Sequence, residues 1–133
     1  MRRRSKRMLA ERILVWQWGR RGAGPRIAVD LANGFKRLPG TDVLLCLSER
    51  AEILRSRNAP EAVVKVATYS SLRGLLKRLL TAPWLRRQLA RIVRDFRPDV
   101  AICAMPGPLD MLMTQVLHRA GAWIVVIVHD AQP

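Results

Sequence analysis

Three loops of the sequence bring together residue types that could bind a polar ligand. The first, Gly19-Arg20-Arg21-Gly22-Ala23-Gly24, follows an apolar run and leads into Pro25 and Arg26. Gly22 and Gly24 permit positive φ and close approach of a ligand to backbone amides. A helix beginning there would present unpaired N–H groups and partial positive charge, which suit a phosphate. Arg21 and Arg26 could add charge-assisted contacts. A glycine-rich turn of purely structural purpose stands beside that reading. The pattern is not G-x-G-x-x-G and no P-loop lysine follows, which argues against dinucleotide and ATP sites. The second loop is Met105-Pro106-Gly107-Pro108, and the third is His129-Asp130-Ala131-Gln132-Pro133. His129 could hydrogen-bond a hydroxyl or a phosphate, with Asp130 orienting a partner. The plain alternative is a solvent-exposed pair in the last turn. His118, near the C-terminus of a helical stretch, fits a structural or surface role favoured by the helix dipole.

These loops gain meaning from the elements around them. Residues 1–11 form a basic leader, and residues 12–133 form a single expected domain. Residues 13–18 (Ile-Leu-Val-Trp-Gln-Trp) make an apolar β-type run. Ile27, Leu31, Phe35 and Leu38 then recur at helical spacing, with Pro25 suited to the first turn and Pro39-Gly40 as a stop. Residues 42–47 predict a second strand, 49–57 a short helix and 62–68 a third strand. Residues 71–97 predict a helical stretch broken at Ala82-Pro83. Residues 100–104 predict a fourth strand, 109–120 a helix closed by Gly121, and 123–128 a fifth strand. Fivefold strand–helix alternation argues for a Rossmann-like, doubly wound parallel α/β sheet of about five strands with helices on both faces. Strands one, four and five read as nearly unbroken apolar runs, the pattern of strands covered on both faces. In such a sheet ligands collect outside the carboxyl ends of the strands, which is where all three loops fall.

Composition narrows the classes. The chain has 133 residues, half of them hydrophobic, enough for one packed domain and too few for two ordinary ones. Lys and Arg number 24 against 10 Asp and Glu, a formal charge of +14. Such a field attracts polyanions, namely nucleic acid, anionic lipid or phosphorylated ligands, without choosing among them. Lysine appears only at Lys6, Lys36, Lys65 and Lys77, and an arginine bias of this kind can also follow from a GC-rich genome. Cys46 and Cys103 each lie in an apolar run, which predicts buried free thiols in a reducing compartment. With His118 and His129 as the only histidines, no metal site is expected. Arg2 to Arg7 resemble the start of a secretory signal, but Glu11 and Arg12 interrupt the apolar run behind them. The expectation is a cytoplasmic protein whose membrane contact, if any, is peripheral.

Two amphipathic stretches suggest where that contact would fall. Leu72, Leu75, Leu76, Leu79 and Leu80 form an apolar stripe flanked by Arg73, Lys77 and Arg78, with Trp84 beside the proline break. Cations over lipid phosphate and tryptophan at headgroup depth are the marks of an interfacial helix. Packing of the stripe on the sheet is the competing reading, and both stay open. For Trp84, Leu85, Leu89, Ile92, Val93 and Phe96, packing is the better reading, with Arg86, Arg87, Arg91 and Arg94 as the solvated side.

Trp16-Gln17-Trp18-Gly19-Arg20-Arg21-Gly22-Ala23-Gly24-Pro25-Arg26, then Phe96-Arg97-Pro98-Asp99-Val100, then Val128-His129-Asp130-Ala131, resemble the start of GT-B-fold glycosyltransferases of the family-4 type. The resemblance spans nearly the whole chain, and its strength lies in the order and spacing of moderately specific motifs. It implies the N-terminal, acceptor-side domain of an enzyme that moves a sugar from a nucleotide-sugar to a lipid-linked or polysaccharide acceptor. It also implies a site on the cytoplasmic membrane face, with no metal needed. By the same resemblance Gly22 and Gly24 lie near the donor diphosphate and His129 in the cleft. The place of the loops adds Arg26, Pro106 and Gly107 as expected substrate contacts and Asp130 beside His129 at the expected reacting centre. The family's paired glutamates and donor-binding residues belong to a second domain with no counterpart up to Pro133. The chain is therefore expected to be truncated or to take that domain from another chain, and to be inactive alone.

Two other classes stay in play. A small basic Rossmann-like binding module for nucleic acid or another polyanion would use the same charge and show strongly salt-dependent affinity. Against nucleic acid, aromatics do not alternate with the basic residues as a stacking platform requires. A doubly wound signalling domain would need an acidic cluster at the strand ends, where only Asp130 stands.

Overall fold

The computed structural model describes residues 11–19, 23–49, 51–55, 63–66, 82–104 and 110–127. In chain order these form β1 (Glu11–Gln17), α1 (Ala23–Lys36), β2 (Thr41–Ser48), a 3-10 turn (Glu52–Arg55) and β3 (Val64–Val66). Then come α2 (Ala82–Phe96), β4 (Val100–Cys103), α3 (Asp110–Arg119) and β5 (Trp123–Val126). All five strands are parallel, in the order β3-β2-β1-β4-β5. This is the Rossmann-like doubly wound sheet that the alternation predicts.

The central strand explains why the sheet forms. Alternate residues of β1 feed two separate cores, as the two-residue period of a strand dictates. Leu14 and Trp16 pack with Leu85, Leu89 and Val93 of α2 and Met113 and Leu117 of α3. Ile13 and Val15 pack with Ala28, Val29 and Ala32 of α1. Leu14, Val15 and Trp16 are all fully buried, each gaining roughly 1.5–3 kcal/mol from burial. Of the predicted apolar face of α2, Leu85, Leu89 and Val93 are buried and Ile92 and Phe96 half-buried. Trp84, in the first turn before the helix reaches the core, is instead exposed, as are Arg86, Arg87, Arg91 and Arg94.

Helix ends follow local chemistry. Pro25 sits in the first turn of α1, where a missing N–H costs nothing. Helix α1 stops at Lys36, so the predicted helical residue Leu38 lies past its end, 52% exposed. Helix α2 ends on Arg97, whose φ of 54° gives a left-handed cap, closed by Arg97 N–H donating to the Val93 carbonyl at 2.8 Å. Pro98 follows and prevents continuation. Arg12 ties this turn to β1: its amide donates to Asp99 Oδ2 and its Nη1 to the Phe96 carbonyl, each at 3.0 Å.

One expectation about burial is corrected. Strand β5 reads as covered on both faces, yet it is the sheet's edge, with Trp123, Val125 and Val126 exposed by 61%, 46% and 47%. Ile124 packs into the core beneath α2 and α3. Among the described residues no element covers Trp123 and Val125, so an unbroken apolar run here does not mean burial.

Candidate functional site

Strands β1 and β4 lie side by side, but the chain leaves them in opposite directions: β1 leads through α1 to β2, and β4 leads through α3 to β5. Their helices pack on opposite faces of the sheet, the arrangement that in open parallel sheets sets a ligand crevice outside the carboxyl ends at the switch point. The described residues at that end are Gln17 at the end of β1, Trp18 and Gly19 beyond it, Ala104 after β4, and the first turns of α1 and α3.

On the α1 side the key contact is between Gln17 and Gly24. Gln17 is 5% exposed, and its Oε1 accepts the Gly19 amide at 2.6 Å. A Cβ added at Gly24 would lie 2.7 Å from both Cδ and Nε2 of Gln17. Gly24 is thus required for close packing within the protein. It is part of α1, and the positive-φ glycines among the described residues are Gly40 and Gly121. The first turn of α1 therefore lies directly over the end of β1. Arg26 stands exposed in α1 just beyond.

On the α3 side sits Asp110, buried in the first turn. Its Oδ1 accepts the Trp16 indole N–H at 3.0 Å, and its Oδ2 accepts the Cys103 thiol at 3.2 Å. The carboxylate is also well placed against the partial positive charge of the α3 N-terminus. Thr114 Oγ1 donates to the Asp110 carbonyl at 2.7 Å. This constellation locks α3 to β1 and β4, which fixes one wall of the crevice. Both cysteines are buried and free. Burial pushes the Cys46 thiol far above its ordinary value, so it is held protonated and unreactive.

Of the residues singled out from sequence, Gly24, Arg26 and Trp84 fall among those described. Gly24 and Arg26 border the crevice. Trp84 is 72% exposed in the first turn of α2. Gly22, Pro106, Gly107, His129 and Asp130 lie outside the described residues, as do Arg73, Lys77 and Arg78. Sequence reasoning missed Gln17 and Asp110. The signal for Gln17 was a lone amide inside an apolar strand, at the end where ligands gather. Asp110 offered only its place two residues after Pro106-Gly107-Pro108. Among the described residues no three His, Cys, Asp or Glu side chains come together as a metal site, and no described helix is long and apolar enough to cross a membrane.

No family model and no curated protein matches the chain. Solved structures do resemble it. Acinetobacter baumannii MurG aligns over 92% of this chain with a TM-score of 0.65 and 12% identity, covering 36% of the MurG chain. S. aureus MnaA, solved with UDP, aligns over 88% with a TM-score of 0.61 and 11% identity, covering 30% of that protein. The C-terminal domain of PF1911 hydrogenase from Pyrococcus furiosus aligns over 87% with a TM-score of 0.59 and 16% identity, covering 89% of that domain. At these identities the likeness shows the fold alone, a Rossmann-like parallel α/β domain. The chain spans about a third of the MurG and MnaA structures it resembles.

Proposed function

We propose that this chain is the acceptor-side domain of a glycosyltransferase that moves a sugar from a nucleotide-sugar to a lipid-linked or polysaccharide acceptor at the cytoplasmic membrane face. Turnover then requires a donor-binding domain, in the same polypeptide or in another. The observation that carries this reading is the switch-point crevice between β1 and β4, bordered by the N-terminal turns of α1 and α3. Such crevices hold ligands in open parallel sheets. The fold is shared with MnaA, which was solved with UDP.

In this reading the turn through Gly22 and Gly24 and the N-terminus of α1 face the donor diphosphate, with Arg26 adding positive charge. Pro106 and Gly107 border the substrate from the β4 side. His129, oriented by Asp130, hydrogen-bonds a hydroxyl of the sugar or the acceptor. No metal is required for these contacts.

Calorimetric titration of the chain with UDP and UDP-N-acetylglucosamine tests the reading. Binding is expected to weaken about tenfold in Arg26→Ala and in His129→Ala, as loss of one charge-assisted or buried polar contact entails. Because the donor-binding residues belong to the second domain, the chain by itself should bind weakly, at about millimolar ligand. No binding at that concentration, or affinity untouched by both substitutions, would contradict it.

A further inference from the structure

The α2–α3 pair carries a groove of about 710 Å³ that the switch-point crevice does not use. Its rim holds five arginines: Arg86, Arg87, Arg94, Arg97 and Arg119. Its floor is made of small aliphatic groups, Ala90, Val93, Val116 and Ala120, of which the two valines belong to the core. The one carboxylate in the lining, Asp99, already accepts the Arg12 amide at 3.0 Å. Arg94 and Arg119 stand in the last turns of their helices, where a cation offsets the dipole. Arg86 and Arg87 stand in the second turn of α2, where the dipole does not favour a cation. Their concentration on one groove therefore exceeds what helix electrostatics needs.

We propose that this groove docks an acidic amphipathic helix of a partner protein, its apolar residues on the aliphatic floor and its carboxylates on the arginine rim. Small floor side chains let a third helix approach to ordinary packing distance, about 8–10 Å between axes. From Arg86 to Arg97 the groove follows α2 for roughly 16 Å, matching about three turns of a helix. Planar guanidinium forks pair with carboxylates bidentately, which gives the contact register as well as charge. The lining has no aromatic residue on which a nucleic acid base could stack. A bilayer engages apolar side chains that protrude, and here they are recessed among the arginines. The protruding Trp84 and Met111 lie outside the lining. At about 100° per residue, Trp84 lies roughly 120° around α2 from Ala90.

Fluorescence anisotropy provides the test. The probe is a labelled peptide of about 14 residues, a helix of nearly four turns with leucines on one face and glutamates on the other. It should bind the intact chain, and its counterpart with lysine in place of glutamate should not. Arg87→Glu and Arg119→Glu should each weaken binding about tenfold or more. Lys36→Glu carries the same charge change in the last turn of α1, which packs on the other face of the sheet, and should leave affinity within about twofold. Ala90→Phe fills the floor without touching the charge and should also abolish binding. It decides the matter if a charge reversal impairs folding, as judged by circular dichroism. The proposal is overturned if the glutamate peptide does not bind, or if Lys36→Glu weakens it as much as the rim substitutions. It is equally overturned if a DNA duplex or phosphatidylglycerol vesicles bind in preference and lose affinity with the same rim variants.

Discussion

Gln17 and Asp110 are the two side chains that shape the crevice from within the protein. Gly24 exists to make room for the first. In Gly24→Ala the new Cβ would press on a Gln17 amide that is buried and held by the Gly19 N–H. Moving it breaks that bond, so the substitution should destabilise by about 1–2 kcal/mol in urea denaturation. Adding Gln17→Ala should cancel part of that cost, a coupling that independent sites would not show. Asp110→Ala leaves the fully buried Trp16 indole N–H without its acceptor and removes a carboxylate from a helix N-terminus. The expected loss is about 2–3 kcal/mol with an unchanged denaturant slope. A loss under about 0.5 kcal/mol would mean that water replaces the carboxylate without penalty. The sequence showed that Gly24 mattered and pointed to a ligand as the reason. The structure supplies a nearer cause, a glutamine seven residues back. Asp110 was invisible because its indole partner lies 94 residues away in sequence, and no local pattern encodes such a pairing.

At the scale of elements, α2 joins two readings in one helix. Its Leu85, Leu89 and Val93 are buried, as their spacing predicts, whereas Trp84 in the first turn is 72% exposed. An exposed side chain contributes little to folding, so Trp84→Ala should change stability by no more than about 0.5 kcal/mol. If Trp84 and the stripe at residues 72–80 engage an anionic membrane, flotation with phosphatidylglycerol vesicles should fall sharply in Trp84→Ala and in Leu76→Glu. Vesicles that fail to carry the wild-type chain would remove the membrane from the account. Among the described residues periodicity located the five strands and the long helices, because burial follows it on central elements. The short helix expected over 49–57 is instead a four-residue 3-10 turn, Glu52–Arg55. At β5 the strand is where the pattern places it but its burial is not as expected, since a run as apolar as that of β4 lies at the sheet's edge. Apolar content records what a surface is made of, not whether anything covers it.

For the molecule as a whole, parallel topology was legible from strand–helix alternation, since a right-handed crossover leaves few arrangements. The position of the switch point was not, because strand order depends on which neighbour each crossover chooses. That position brings the ends of β1 and β4 beside the first turns of α1 and α3, and the proposed function rests on it. Amide hydrogen exchange of the chain, with and without UDP-N-acetylglucosamine, examines it most directly. The account predicts slower exchange in residues 19–26 and 104–110, with the α2–α3 groove unchanged. No protection at those residues, or protection confined to 86–97 and 115–120, would contradict a nucleotide-sugar site at the switch point.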